Sequence, residues 1–333
     1  MLYNHTLKTL GLFLSAALAV LLFAASVVYG YADTSWAAVK AAFTAFDGSN
    51  EHLIIRDLRL PRAIAALLVG AALASSGAVM QALTRNPMAS PGILGINAGG
   101  GLFIVAGVSL LSIGSTMSMV WLAFAGAAFA AVSVYAVAQV GKDGITPLKI
   151  TLAGATLAAL FTSFTTAFLI WDERTLDTVL FWLAGSVQGK SMEQLTTVLP
   201  FLLAGYVIVL LMGKSLNIFA VGEQLAIGLG QHTTRLKWIS LIAVILLAGG
   251  SVAIAGPVGF VGLVIPHIVR ALVGSDHRWV IPYCLLLGGV LLLAADIGSR
   301  FIAFPKEVPV GVMTALVGAP FFIYMARREL NTK

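Results

Sequence analysis

The sequence predicts an all-α membrane protein of about ten transmembrane helices, and two observations carry that prediction. Of its 333 residues, 59% are hydrophobic and 10% charged, against roughly 25% charged in soluble domains. The apolar residues also fall in blocks of about 20, the length a helix needs to cross a hydrocarbon core of roughly 30 Å. The blocks place spans near 9–30, 62–82, 93–113, 117–140, 149–170, 195–213, 237–255, 258–272, 280–298 and 308–326. Residues 1–333 read as a single transmembrane domain.

The first span, GLFLSAALAVLLFAASVVYG, is longer than the roughly 7 to 15 residues of a signal-peptide core and has a thin basic flank, so it is expected to be retained. The second opens with RDLRLPRAIAALLVG, which stacks Arg56, Arg59 and Arg62 at its lip. Ahead of the third lies TRNPMASPG, 84–92, where Pro87 and Pro91 cannot continue a helix and bias Asn86 and Ser90 away from one, so a turn is expected. A loop at 141–148 precedes the fifth span, and TLDTVLFWLAGS, 175–186, stands ahead of the sixth. LNIFAVGEQLAIGLGQHTTRLK, 216–237, is the longest polar interruption on its side. It reads either as a solvated loop or as the site of a short helix over 223–229 ended by Gly230. LVGAALASSGAV, 68–79, and LAGGSVAIAGPV, 247–258, share Leu, Gly, Ala, Gly and Val at one offset. If this is a repeat, it relates the second span to the seventh with opposite direction, as in the inverted repeats of transporters.

Ten spans put both termini on one side. With that side cytoplasmic, the outer segments hold Lys40, Arg56, Arg59, Arg62, Arg174, Lys190, Arg300 and Lys306, leaving the other 12 of the 20 basic residues inside. The positive-inside bias therefore favours cytoplasmic termini, and Arg56, Arg59, Arg62 and Arg300 stand against it. Two accounts remain open for these four. They snorkel to lipid phosphates, or they meet an acidic protein that docks from outside, with some paired internally to the outer acids.

No Asp, Glu, Lys or Arg is expected in the span cores, so there is no obvious midplane group to carry a coupling ion, which argues against a secondary carrier. GSVQGKS, 185–191, has three residues between its glycines where a phosphate loop needs four, and MGKS, 212–215, lacks the first glycine. This chain is therefore not expected to use ATP by itself. No metal-ligand spacing appears, no cofactor is expected, and the lone Cys284 allows no intrachain disulfide. The net charge of +6, spread over loops, points to membrane lipids and protein partners rather than nucleic acid.

RLPRAIAALLVGAALASSGAVMQALTRNPMASPGILGINAGG, FVGLVIPHIVRALVGSDHR, and ADIGSR followed by EVPVGVMTALVGAPFF resemble the ABC importer permeases for iron-siderophores, haem and cobalamin. The resemblance covers residues 56 to the C-terminus, leaving 1–55 as a generic first span and outer loop. It implies the type II importer permease fold, a permease dimer made with itself or a homologue, two cytoplasmic ABC ATPase subunits and an external substrate-binding protein. It implies that Arg59, Arg62 and Arg300 receive acidic residues of the binding protein. On that basis Arg59→Glu with Arg62→Glu is expected to abolish uptake while the permease still assembles. Gly222, Glu223, Ala226, Leu229 and Gly230 match the helix that couples to the ATPase. Asn86 and Met88, with Thr146 of the 141–148 loop, match the inner gate, and 175–186 matches a short helix beside the outer mouth. The implied function is transport of a ferric siderophore. Haem or cobalamin is the alternative within the family, and an ion-coupled carrier or a membrane enzyme the alternatives outside it.

Overall fold

In a computed structural model of the chain, every regular element among the described residues is helical. The structure describes residues 2, 4–30, 34–140, 146–172, 176, 179–180, 182–303 and 306–330. Part of the expected inner-gate loop, 141–145, and residues 175, 177, 178 and 181 of the segment beside the outer mouth lie outside them.

The helices are α1 (His5–Val28), α2 (Trp36–Thr44), α3 (Asn50–Thr84), α4 (Ile96–Leu111), α5 (Thr116–Ala138), α6 (Pro147–Trp171) and α7 (Met192–Leu211). They continue with α8 (Gly213–Val221), α9 (Glu223–Gly228), α10 (Thr233–Ala255), α11 (Val261–Val273), α12 (His277–Ser299) and α13 (Val310–Leu330). Seven of them are long and apolar enough to cross a membrane, and α4, α11 and α13 are shorter apolar helices. Together they account for the ten expected spans.

Starts are set by local chemistry. Ser115, Thr146 and Ser191 accept a hydrogen bond from a backbone N–H in the first turns of α5, α6 and α7, satisfying donors that a helix start leaves free. At Ser191 the Gln194 side chain reciprocates, closing a capping box.

α3 is the central post, 83% of its most apolar stretch lying inside the protein. Small residues make that possible. A Cβ on Gly70 would fall on the carbonyl oxygen of Gly288 in α12, and one on Gly77 would fall on that of Gly262 in α11. Two helices therefore lie backbone against backbone on α3, as packing in lipid favours. Gly99 and Gly126 bring α4 and α5 together in the same way.

One expectation changes and one open alternative is resolved. The second span does not begin at 62 but runs out to Asn50 through a π turn at Ile54–Arg59, so the three arginines stand within a helix. The 216–237 stretch is not one loop, because 213–221 and 223–228 are helical. The eighth span is short because α11 starts beside Gly77, well along α3. The chain ahead of it is non-helical at Gly256 and Phe260, both with positive φ (69° and 65°), and the Phe260 ring covers Gly318 of α13. Irregular backbone at such depth is tolerated when protein surrounds it. Gly70 and Gly249, and Gly77 and Gly256, are matched positions in the candidate repeat. Gly77 lies inside α3, whereas Gly256 ends α10.

Candidate functional site

The face opposite the chain termini holds a cluster of buried charge. Arg59, Arg62 and Arg300 are only 6%, 9% and 3% exposed, so they neither snorkel nor stand free. Arg62 Nε donates to Asp296 Oδ1 at 2.8 Å and its Nη1 to Glu307 Oε2 at 2.6 Å. Arg300 Nη2 donates to Asp296 Oδ2 at 2.5 Å and to Ser26 Oγ at 2.7 Å, while its Nη1 donates to the carbonyls of Ser26 and Tyr29 at 2.7 and 2.6 Å. Arg59 Nη1 donates to the Val28 carbonyl and to Thr34 Oγ1 at 2.6 Å. Gly30 makes room for it, since a Cβ there would stand 2.9 Å from Arg59 Nη2.

One carboxylate thus holds two guanidiniums, and the carbonyls at the end of α1 absorb much of the remaining positive charge. Buried ions are tolerated when paired and hydrogen-bonded in this way. Within this cluster Arg300 Nε is buried without a hydrogen-bond partner. Above the cluster a cavity of about 310 Å³ is lined by Arg59, Arg62, Arg300, Glu307, Leu58 and Gln188 among others. Three guanidiniums stand here against two carboxylates, Glu307 in the wall and Asp296 behind Arg62 and Arg300, so the excess charge at the cavity is positive. Arg56 is exposed instead, its guanidinium 4.7 Å above the Phe46 ring. Next to the cavity, burial pushes the Lys190 ammonium down to about 8.

The terminal face holds the second site. Gly222 turns the chain with φ 152°, and α9 follows for 6 residues. Ala226 is buried beneath it, whereas Leu225, Ile227 and Leu229 are exposed, Leu229 at 71%. Gly230, φ 81°, donates to the Ile227 carbonyl and ends the turn, so the expected helix is present one residue shorter, with Leu229 as its C-cap. Glu223 accepts from Lys237 Nζ at 2.5 Å, and Arg85 and Lys237 both approach the Phe219 ring. Behind α9 opens a cleft of about 890 Å³ lined by Arg85, Tyr135, Thr146, Glu223 and Lys237 among others.

Of the expected gate residues, Thr146 caps α6 and lines that cleft. Asn86 Oδ1 accepts from the Met88 N–H at 2.9 Å, shaping the turn that follows Arg85. Pairing of the arginines to outer acids was expected without its partners, which are Asp296 and Glu307 for Arg62, and Asn217 was missed as a partner of Asp276 and His277. The i, i+4 spacing of Asp296 and Arg300 was a legible signal for their ion pair. Among the described residues no group of three or more His, Cys, Asp or Glu could hold a metal.

The pattern of the FecCD transport family matches residues 18–328. The chain belongs to that family. Relatives of the FecCD chain include the "Probable siderophore transport system permease protein YfiZ" of Bacillus subtilis, 56% identical, covering 91% of this chain and 91% of the relative. The Fe(3+)-citrate import system permease protein YfmD of the same organism is 45% identical, covering 86% and 85%. The cobalamin import system permease protein BtuC of Halobacterium salinarum is 38% identical, covering 84% and 75%. A solved structure described as an inward-facing metal-chelate type ABC transporter superposes with a TM-score of 0.84 at 28% identity, covering 95% of this chain and 98% of that one. The FecCD chain is therefore a multi-pass membrane transport subunit.

Proposed function

We propose that the chain is the permease subunit of an ATP-driven importer that carries a ferric siderophore across the cytoplasmic membrane. Its termini are cytoplasmic, which makes α9 an inner-face element and the arginine cavity an outer one. It pairs with a second permease chain, receives an external binding protein over Arg59, Arg62 and Arg300, and seats two cytoplasmic ATPases on Gly222, Glu223, Ala226, Leu229 and Gly230. Asn86, Met88 and Thr146 lie at the inner gate. The observation that carries this reading is the pairing of opposite faces: exposed apolar side chains on α9, and a cation-lined cavity at the other end of the same helices. Relatives named for siderophore and ferric citrate transport support the cargo.

The buried arginines alter how docking is tested. Arg62→Glu would set a third carboxylate beside Asp296 and Glu307, so the doubly reversed variant is expected to lose assembly as well as uptake. Leu229→Glu is the better probe. It removes an exposed apolar contact without disturbing the interior and is expected to weaken ATPase association about tenfold or more. The decisive experiment is reconstitution with ATPase and binding protein in proteoliposomes, offering ferric siderophore, haem and cobalamin in parallel. Uptake of the siderophore that needs internal ATP and survives a collapsed proton gradient is expected. Gradient-driven uptake by the chain alone would end this reading, and preference for haem or cobalamin would move the cargo.

A further inference from the structure

The cleft behind α9 is walled by the ends of four spanning helices. Tyr135 stands near the end of α5, Thr146 caps the start of α6, Lys237 and Trp238 lie early in α10, and Arg85 follows α3. Such ends stand at the level of lipid headgroups, where tryptophan is favoured, and Trp238 is 43% exposed. Leu225 and Ile227 of α9 add exposed apolar side chains to the same wall. The cleft is thus apolar along one side and basic along another.

A smaller recess of about 60 Å³ shares Arg85, Tyr135, Glu223 and Lys237 with the cleft. Tyr135 is only 5% exposed, and its hydroxyl is buried there with no hydrogen-bond partner among the described residues. The ring packs on that of Trp238, centroids 4.7 Å apart, which holds the hydroxyl in place. A buried polar group left unpaired costs free energy, and this one carries a proton to donate.

The groups around it also have donors to spare. Arg85 makes one long hydrogen bond, Nη2 to the Phe219 carbonyl at 3.4 Å, out of the five a guanidinium can give. Lys237 places one of its three on Glu223. Thr146 Oγ1 accepts from the Lys149 N–H at 3.3 Å and keeps its own proton to give. Two cations stand against one carboxylate in the wall, so the site is positive by one charge.

A phosphate group satisfies this set. Its oxygens accept from several directions at once, meeting a planar guanidinium, a point-charge ammonium and neutral hydroxyls together. The apolar side of the cleft leaves room for the acyl stem of a lipid, and basic pockets between spanning helices are where anionic headgroups bind. We propose that the cleft behind α9 binds the phosphate of an anionic phospholipid headgroup, with Arg85 and Lys237 as its counter-charges and the Tyr135 hydroxyl as the donor that closes on it. The proposal rests on the chain spanning a membrane and not on what docks against α9, so failure of Leu229→Glu to weaken ATPase association leaves it standing.

The test uses the purified full chain in neutral detergent, offered phosphatidylglycerol, phosphatidylcholine or inorganic phosphate, with bound molecules counted by native mass spectrometry. Retention of phosphatidylglycerol about tenfold above phosphatidylcholine is expected, with no comparable binding of inorganic phosphate. Arg85→Gln and Tyr135→Phe are each expected to lower phosphatidylglycerol affinity about fivefold or more. Arg278→Gln, which removes an exposed cation of the same face outside the cleft, is expected to leave it unchanged. Without lipid, Tyr135→Phe is expected to match or exceed the parent in thermal midpoint, because it deletes only an unpaired oxygen. A lowered midpoint would show that the hydroxyl is already bonded within the protein, and unchanged lipid affinity that it meets only water. Either result would overturn the site, as would an equal loss in Arg278→Gln. Inorganic phosphate binding as tightly as the lipid would overturn the headgroup as its source.

Discussion

Arg62 and Asp296 are 234 positions apart in the chain, yet the Arg62 Nε donates to an Asp296 carboxylate oxygen at 2.8 Å inside the protein. This contact ties α3 to α12 at the ends that face away from the chain termini, and Asp296 serves Arg300 with its other oxygen. Removing the carboxylate leaves two buried guanidiniums short of their counter-ion. Asp296→Ala is therefore expected to cost about 3–5 kcal/mol, read as a large fall in thermal midpoint of the purified permease. Arg278→Ala, which breaks an ion pair on an exposed, solvent-screened side chain, is expected to leave the thermal midpoint nearly unchanged. Equal losses in the two variants would contradict this account.

Glu307 is the more accessible of the two acids on Arg62, its side chain 18% exposed. It occupies the guanidinium edge that an incoming carboxylate would otherwise use. Glu307→Gln is expected to raise the affinity of the binding protein about fivefold at low ionic strength, with the gain fading as salt screens it. Weaker docking by this variant, measured with the permease in nanodiscs, would show that Glu307 supports the site and does not compete for it.

How far the sequence foretold this arrangement depended on the range of each interaction. Span positions were legible because about 20 apolar residues in succession have few other uses. The α9 turn was legible because Gly222 and Gly230 bracket it, each with the positive φ that glycine tolerates. Helicity of 50–61 was hidden, since charges there broke the apolar block while a π turn continued the helix. The arginines stood out against the charge bias, but the depth of their burial did not show. Asp296 reads as a residue at a span end, and only the tertiary fold sets it between Arg62 and Arg300. Asn217 carried no signal, because a lone polar residue in a short helix does not announce a partner at Asp276.

The glycines differ in what they permit. A methyl on Gly70 would strike the Gly288 backbone, whereas one on Gly228 meets nothing within 4 Å. Gly70→Ala is expected to destabilise by about 1–3 kcal/mol, the range for forcing bulk into a filled interior. Gly228→Ala is expected to be neutral or to firm α9 by up to about 1 kcal/mol, since alanine favours helix over glycine. Thermal midpoints of the two purified variants check both. A tolerated Gly70→Ala would mean that α3 and α12 can separate without loss.

Lys190 precedes α7 and follows Gly189 of the arginine-lined cavity, and burial pushes its ammonium down to about 8. In the unfolded chain a lysine titrates near 10.4. Below pH 8 both states hold the proton, and the folded state bears the full penalty of a poorly hydrated charge. Between about 8 and 10.4 the folded state has released its proton while the unfolded state keeps it, so this residue's contribution to stability improves as pH rises. Lys190→Met removes the penalty at every pH. It is expected to be more stable than the parent at pH 7, with the advantage shrinking towards pH 10 by at most about 1.4 kcal/mol per unit. Other groups that titrate in that window are common to both proteins and cancel in the difference. Paired denaturation curves at pH 7 and pH 9.5 check this, and an advantage that stays constant or grows with pH would show that the Lys190 ammonium is not held at a cost.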